Sequence, residues 1–241
     1  MIDHDATDPL LLIRSTAVNN LMEQQYTDIF AKTYADVVKN AQDTHEMFSA
    51  ATGNVSLNTV FSSSELSQSL QMVAKTIAAR DTLDVCRQTF FVTFGGWDHH
   101  DELLNNHAAM LTVVSRALNE FNSAMEELGV ADKVTTFSIS DFARTLTSNG
   151  NGTDHAWGGN VMVMGGSVRG GQVYGTYPDL ALRSALDIDN GVLVPTLSTD
   201  EYFAELSQWF GVSNGDLADI FPNLSNFYSP GGQAPIGFMN S

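Results

Sequence analysis

A chain of 241 residues, 43% of them hydrophobic, carries enough apolar material for one sizeable domain or a domain with an appendage, and this argues against disorder. Twenty-eight acidic against eleven basic residues give a formal charge of −17, a surface that repels nucleic acid and anionic membranes and argues against both as partners. No apolar run approaches the ~20 residues of a membrane-spanning helix, and the single Cys86 excludes an intrachain disulfide.

The opening Met1-Ile2-Asp3-His4-Asp5 is acidic, where an export signal would be basic and then apolar. Asp8-Pro9 reads as a helix start, a capping aspartate followed by proline at the first helical position. Leu10, Ile13, Ala17 and Leu21, then Tyr26, Ile29, Phe30, Tyr34, Val37 and Val38, recur near helical spacing until Gly53-Asn54 breaks the pattern. A further helix is expected from about Ser64 to Arg80, with Leu66, Leu70, Val73 and Ile77 on one stripe.

The pattern changes at Thr89. Thr89-Phe90-Phe91-Val92-Thr93-Phe94 is β-branched and aromatic and ends at Gly95-Gly96, which predicts a buried strand. A long amphipathic helix is expected from Asp101 to about Leu128, with Gly129 as its stop. Lys133 to Ile139 then reads as a second strand, so strand, helix and strand follow the grammar of a parallel sheet. Ser148 to Asn160 reads as a polar, glycine-rich loop, and Val161 to Met164 as a third short strand closed by Gly165-Gly166. Gly170-Gly171 and Gln172 to Gly175 suggest a hairpin or tight excursion. A last helix opens at Thr199-Asp200 and stops at Gly211, and the tail from Pro222 reads as irregular.

The expected fold class is therefore α/β, divided into a helical segment over 1–85 that packs on or caps the sheet and an α/β part over 86–241. Three legible strands are fewer than the ~5 of a doubly wound sheet. The expectation is the carboxy-terminal portion of a larger α/β protein.

In such sheets ligands bind beyond the carboxyl ends of the strands. Three polar clusters fall there: Gly95 to His100, Ser140 to Arg144, and Gly152 to His155. Asp98 and His100 sit two apart on a turn that the preceding glycines permit, and both can reach one ion. Asp141 and His155 would complete a four-ligand set for Zn²⁺, Mn²⁺ or a related ion.

Each residue also has a plainer reading. Asp98 or Asp101 could cap a helix, Asp141 could pair with Arg144, and Asp154 could hold His155. Of the adjacent His99 and His100 one is expected to face the site, and His107 reads as a surface histidine. Ser140 and Thr145 lack the surroundings of an activated nucleophile. The paired glycines make no dinucleotide fingerprint.

These motifs resemble those of the bacterial family called domain of unknown function 1501, related to the alkaline phosphatase and sulfatase superfamily. Thr89 to Asp101 is similar to its strand and G-G-x-D-T-H motif, Ser140 to Thr145 to S-[ED]-F-G-R-T, and Gly152 to His155 to G-T-D-H-G. Val173 to Pro178 is similar to its Y-G-x-x-P segment and Trp209 to Val212 to its closing helix. His99 stands where the family has threonine, Ala143 where it has glycine, and Phe142 where the superfamily has a second histidine.

The resemblance implies an alkaline-phosphatase-like, mostly parallel sheet flanked by helices, here lacking amino-terminal strands, and an exported or periplasmic location. It implies that Asp98 and His100 match the first aspartate and histidine of the metal site, His155 its late histidine, and Asp141 an aspartate ligand. The implied cofactor is a divalent ion, zinc, with manganese or calcium as alternatives. Two functions follow as expectations. One is a metal-dependent hydrolase of small phosphate or sulfate esters, with Arg144 clamping the anionic group. The other is a non-catalytic metal- or ligand-binding scaffold.

Overall fold

A computed structural model of the chain describes residues 8–229, 231 and 233–240. The chain divides into two compact units, one running up to Ser56 and then over Lys75–Cys86, the other over Leu57–Ala74 and from Arg87 onward. Residues 57–74, grouped by the sequence reading with the helical part, thus belong to the second unit.

The first unit holds α1 (Pro9–Met22) and α2 (Ile29–Gly53), which pack together. Each begins on an aspartate that satisfies an orphan backbone donor: Asp8 accepts from Leu10 N at 2.9 Å, and Asp28 from Ala31 N at 2.8 Å. Pro9 fits the first helical position, where its missing N–H costs nothing. Their apolar residues keep helical spacing, but Leu10, Ile13, Phe30 and Tyr34 stay largely exposed and only Ser15, Ala35, Ala51 and Thr52 are buried.

In the second unit α4 (Leu103–Glu127) buries Ala117, Phe121, Ala124 and Met125. Two of its carboxylates hold the chain that leads into α3 (Glu65–Ala78). Glu127 accepts from the backbone N–H groups of Asn58 and Thr59 at 2.7 and 2.8 Å, and Glu120 from that of Ser62 at 3.1 Å. Residue 102, just before α4, offers no side-chain cap, and the carbonyl of Asn151 serves instead, accepting from Leu103 N at 3.2 Å.

The described strands form two antiparallel pairs. β1 (Thr135–Phe137) pairs with β4 (Val163–Gly165), Thr136 opposite Met164. Between them lies a hairpin of β2 (Ala143–Ser148) and β3 (Thr153–Ala156), with Arg144 opposite His155 and a register shift between Arg144 and Ser148. The strand–helix–strand order of 89–94 and 133–139 predicts a parallel sheet; the strands found among the described residues run antiparallel, β1 and β4 being linked through the β2–β3 hairpin. Thr89–Phe94 pairs with no strand among the described residues, and Phe91 is 80% exposed.

α5 (Thr199–Phe210) carries two packed clusters. A reciprocal capping box of Ser198 and Glu201 starts it, and Gly211 at φ 111° stops it. Tyr202 and Leu206 pack with Phe238 and Met239, while Ala204 packs with Leu217 of α6 (Leu217–Ile220) and with Leu224. Glu205, 2% exposed, accepts from the backbone N–H groups of Ile236, Gly237 and Met239 at 2.6–2.7 Å. The segment read as an irregular tail is therefore pinned at 236–239. Among the described residues, no helix is long and apolar enough to cross a membrane.

Candidate metal centre

The centre lies where the turn after Gly96 meets the β2–β3 hairpin. Two successive three-residue hydrogen bonds bend the turn: His99 N donates to Trp97 O at 2.9 Å, and His100 N to Asp98 O at 3.1 Å. Asp98 and His100 thereby face the hairpin, and His99 is buried away from it. The hairpin turn is Asn149-Gly150-Asn151-Gly152, closed by Asn149 N donating to Gly152 O at 3.1 Å and Gly152 N to Asn149 Oδ1 at 3.0 Å. It docks flush: a Cβ on Gly152 would stand 2.6 Å from the His99 carbonyl oxygen. Thr153 N donates to that same oxygen at 3.3 Å, which sets the start of β3 against the turn.

Three ligand-type side chains converge. Asp98, His100 and His155 each offer an atom within 4.8 Å of the others. Asp98 Oδ1 lies 2.8 Å from His155 Nε2 and 2.9 Å from His100 Nε2, and the two imidazole nitrogens are 3.3 Å apart. All three side chains are about half exposed. A zinc-class ion bonded at about 2.0–2.1 Å to two ligands holds them roughly 3.3 Å apart at a tetrahedral angle and roughly 2.9 Å at a right angle. The observed separations fall on that scale, so the donor set fits one divalent ion.

Neighbouring groups fix each ligand. His100 Nδ1 donates to Asp154 Oδ1 at 3.2 Å, which leaves the Nε2 lone pair for the centre, the carboxylate–histidine arrangement common beside metal ions. Asp154 is itself held by Asn149 Nδ2 at 3.1 Å. Phe142 stacks on the His155 ring at 4.1 Å and 7°, and the Arg144 guanidinium lies 5.6 Å over the Phe142 ring. Arg144 Nη1 donates to Asp98 Oδ1 at 2.9 Å and Nε to Thr153 Oγ1 at 3.0 Å, while Nη2 donates to Thr153 O. The hydrogen bond from His155 above all, with those of Arg144 and the nearby imidazoles, holds the Asp98 carboxyl below the usual carboxylate range; desolvation opposes this.

Three sequence expectations change. Asp141 stands on the exposed bend before β2 and is not in the group formed by Asp98, His100 and His155. The cause is the turn itself: Ser140 Oγ donates to Phe142 O at 2.8 Å, and it is Phe142, not Asp141, that reaches His155. Arg144, read as an anion clamp, is only 17% exposed and has each of its three nitrogens engaged by Asp98 or Thr153. Asp154, read as the holder of His155, holds His100. Phe142 as the platform of His155 escaped the sequence because it follows from the pairing of Arg144 with His155, which only the hairpin register supplies.

No curated protein and no solved structure matches the chain. A family model does: the one described as "Protein of unknown function (DUF1501)" matches residues 13–205, most of the chain, and the chain belongs to that family.

Proposed function

We propose that the protein binds one divalent cation through Asp98, His100 and His155 and acts on small phosphate or sulfate esters. The convergence of the three ligand atoms within 4.8 Å carries this reading. Two imidazole nitrogens 3.3 Å apart cannot both point a proton at the other, and both also face Asp98 Oδ1; a cation among them satisfies all three at once. Two nitrogen donors favour zinc over calcium or manganese, which prefer oxygen ligands. Bound there, the ion would supply Lewis-acid polarisation of a phosphoryl or sulfuryl oxygen.

The chain's own residues prepare the site. Arg144 holds Asp98 ionised and in place, Asp154 fixes the His100 ring, and Phe142 sets the plane of the His155 ring. The three side chains are about half exposed, so solvent and small solutes reach the site. Ester chemistry as the use of the cation rests on the likeness of the motifs to the alkaline phosphatase and sulfatase superfamily.

One observation favours a second reading, a metal-binding scaffold without turnover. The nearby hydroxyls are committed: Ser140 to Phe142 O, Thr145 Oγ1 to Thr147 O at 2.8 Å, and Thr153 to the Arg144 guanidinium. A nucleophile would then be water rather than a side chain. A panel of aryl phosphate and sulfate esters, run on zinc- and manganese-loaded protein beside Asp98→Ala and His155→Ala, separates the readings. Turnover abolished in both variants is expected. Turnover that survives both substitutions, or none with any ester in the parent, contradicts the hydrolase.

A further inference from the structure

Asp98 and His100 can share an ion only if the residue between them turns away and stays there. Beyond its backbone bonds, His99 is held by rings. Its imidazole, 6% exposed, stands edge-on to Trp97 at 6.4 Å and 66° and to His107 of α4 at 6.1 Å and 89°. Trp97 and His107 meet each other at 5.5 Å and 79°, so the three rings pack mutually edge to face. The indole is anchored in turn, Trp97 Nε1 donating to Phe94 O at 2.8 Å. One residue thus joins the ligand turn to α4 through its side chain and to β3 through its carbonyl, which accepts from Thr153 N.

His99 Nε2 is buried and finds no hydrogen-bond partner among the described residues. The ring is therefore retained by its packing, not by that polar atom, whose burial alone is unfavourable. We propose that His99 is the positioning residue of the metal centre: its ring, wedged between Trp97 and His107, keeps Asp98 and His100 aimed at a common point. The inference rests on the reading of Asp98, His100 and His155 as metal ligands. It assigns the effect to ring shape, so a phenyl ring should serve where a methyl group does not.

The test is zinc affinity of the full chain by competition with a chromophoric chelator, together with the visible spectrum of the Co²⁺-loaded protein. His99→Ala should bind zinc about 10–100-fold more weakly, the range seen when a group that orients a metal ligand is removed. Its Co²⁺ bands should change in position and intensity. His99→Phe should restore affinity to within about threefold and return the parent spectrum. An unchanged His99→Ala affinity overturns the proposal, as does a His99→Phe protein as weak as His99→Ala. Should His99→Ala fail to fold, His107→Ala carries the test from the exposed side of α4: a severalfold weakening is expected, and no change overturns the proposal. A parent chain that binds no zinc overturns the reading of the centre itself, and the positioning role with it.

Discussion

At Asp98 three cationic or polar partners, His155, His100 and Arg144, meet one carboxylate oxygen at 2.8–2.9 Å. Its lowered pKa follows, and the sign for stability is fixed. The folded value lies below the unfolded value of about 3.9, so the contribution is complete above that pH and is lost as pH falls through the folded value. Asp154 contacts a ligand ring directly, through His100 Nδ1. Asp154→Ala should therefore lower zinc affinity about 10–100-fold, less than His100→Ala, with the fold intact; isothermal titration of the two variants checks the order. An affinity equal to the parent's would mean that the Asp154 contact orients nothing. Of these residues Asp98 and His100 are legible as ligand types placed after an apolar run, and His155 as one in the polar loop that precedes Val161–Met164. The actual partner of Asp154 and the uses of Phe142 and Arg144 are not, because they depend on which residues lie opposite each other in the hairpin.

The element that makes the centre is the β2–β3 hairpin, whose turn carries a hairpin signal inside a stretch as polar and glycine-rich as a loop. Asn149-Gly150-Asn151-Gly152 contains Asn-Gly twice, and Asn-Gly is the strongest short hairpin signal. The flanking Ala143–Ser148 and Thr153–Ala156 are polar and half-exposed, without the apolar alternation that marks a strand in the sequence. Helices are more legible because stops and period agree: α5 opens at Thr199-Asp200 and ends at its glycine stop, and α4 lies within the stretch from Asp101 to Leu128. Thr89–Phe94 shows the converse case. Strand composition needs a neighbouring strand to make a ladder, and none of the described residues supplies it.

Two predictions belong to this scale. Gly152→Ala places a Cβ against the backbone of His99 and His100 and should cost about 1–3 kcal/mol by thermal unfolding; an unshifted Tm would show that the hairpin does not dock there. Glu127 is held below the usual carboxylate range by the N–H of Asn58 first and then by Thr59. Glu120 is lowered too: burial opposes, and the bonds from Ser67 and Ser62 outweigh it. Both contributions are complete above the unfolded value of about 4.3 and fade as pH falls through the lower folded values. The hydrogen-exchange protection factors of Asn58, Thr59 and Ser62, corrected for the intrinsic rate at each pH, should fall on acidification below about pH 4. Unchanged protection there would contradict the anchoring.

Across the whole molecule a formal charge of −17 makes self-repulsion the dominant long-range term. Raising monovalent salt from about 10 mM to about 0.3 M should screen it and raise the Tm; a falling Tm would show that attractive ion pairs outweigh the repulsion. The same surface attracts cations diffusely, so a count of bound metal does not by itself identify a site. X-ray absorption on the zinc-loaded protein at one equivalent does. The account predicts two imidazole scatterers with nitrogen at about 2.0–2.1 Å and oxygen completing the shell, falling to a single imidazole in His155→Ala. A shell without imidazole, or one that His155→Ala leaves unchanged, would contradict the convergence of Asp98, His100 and His155 on one ion.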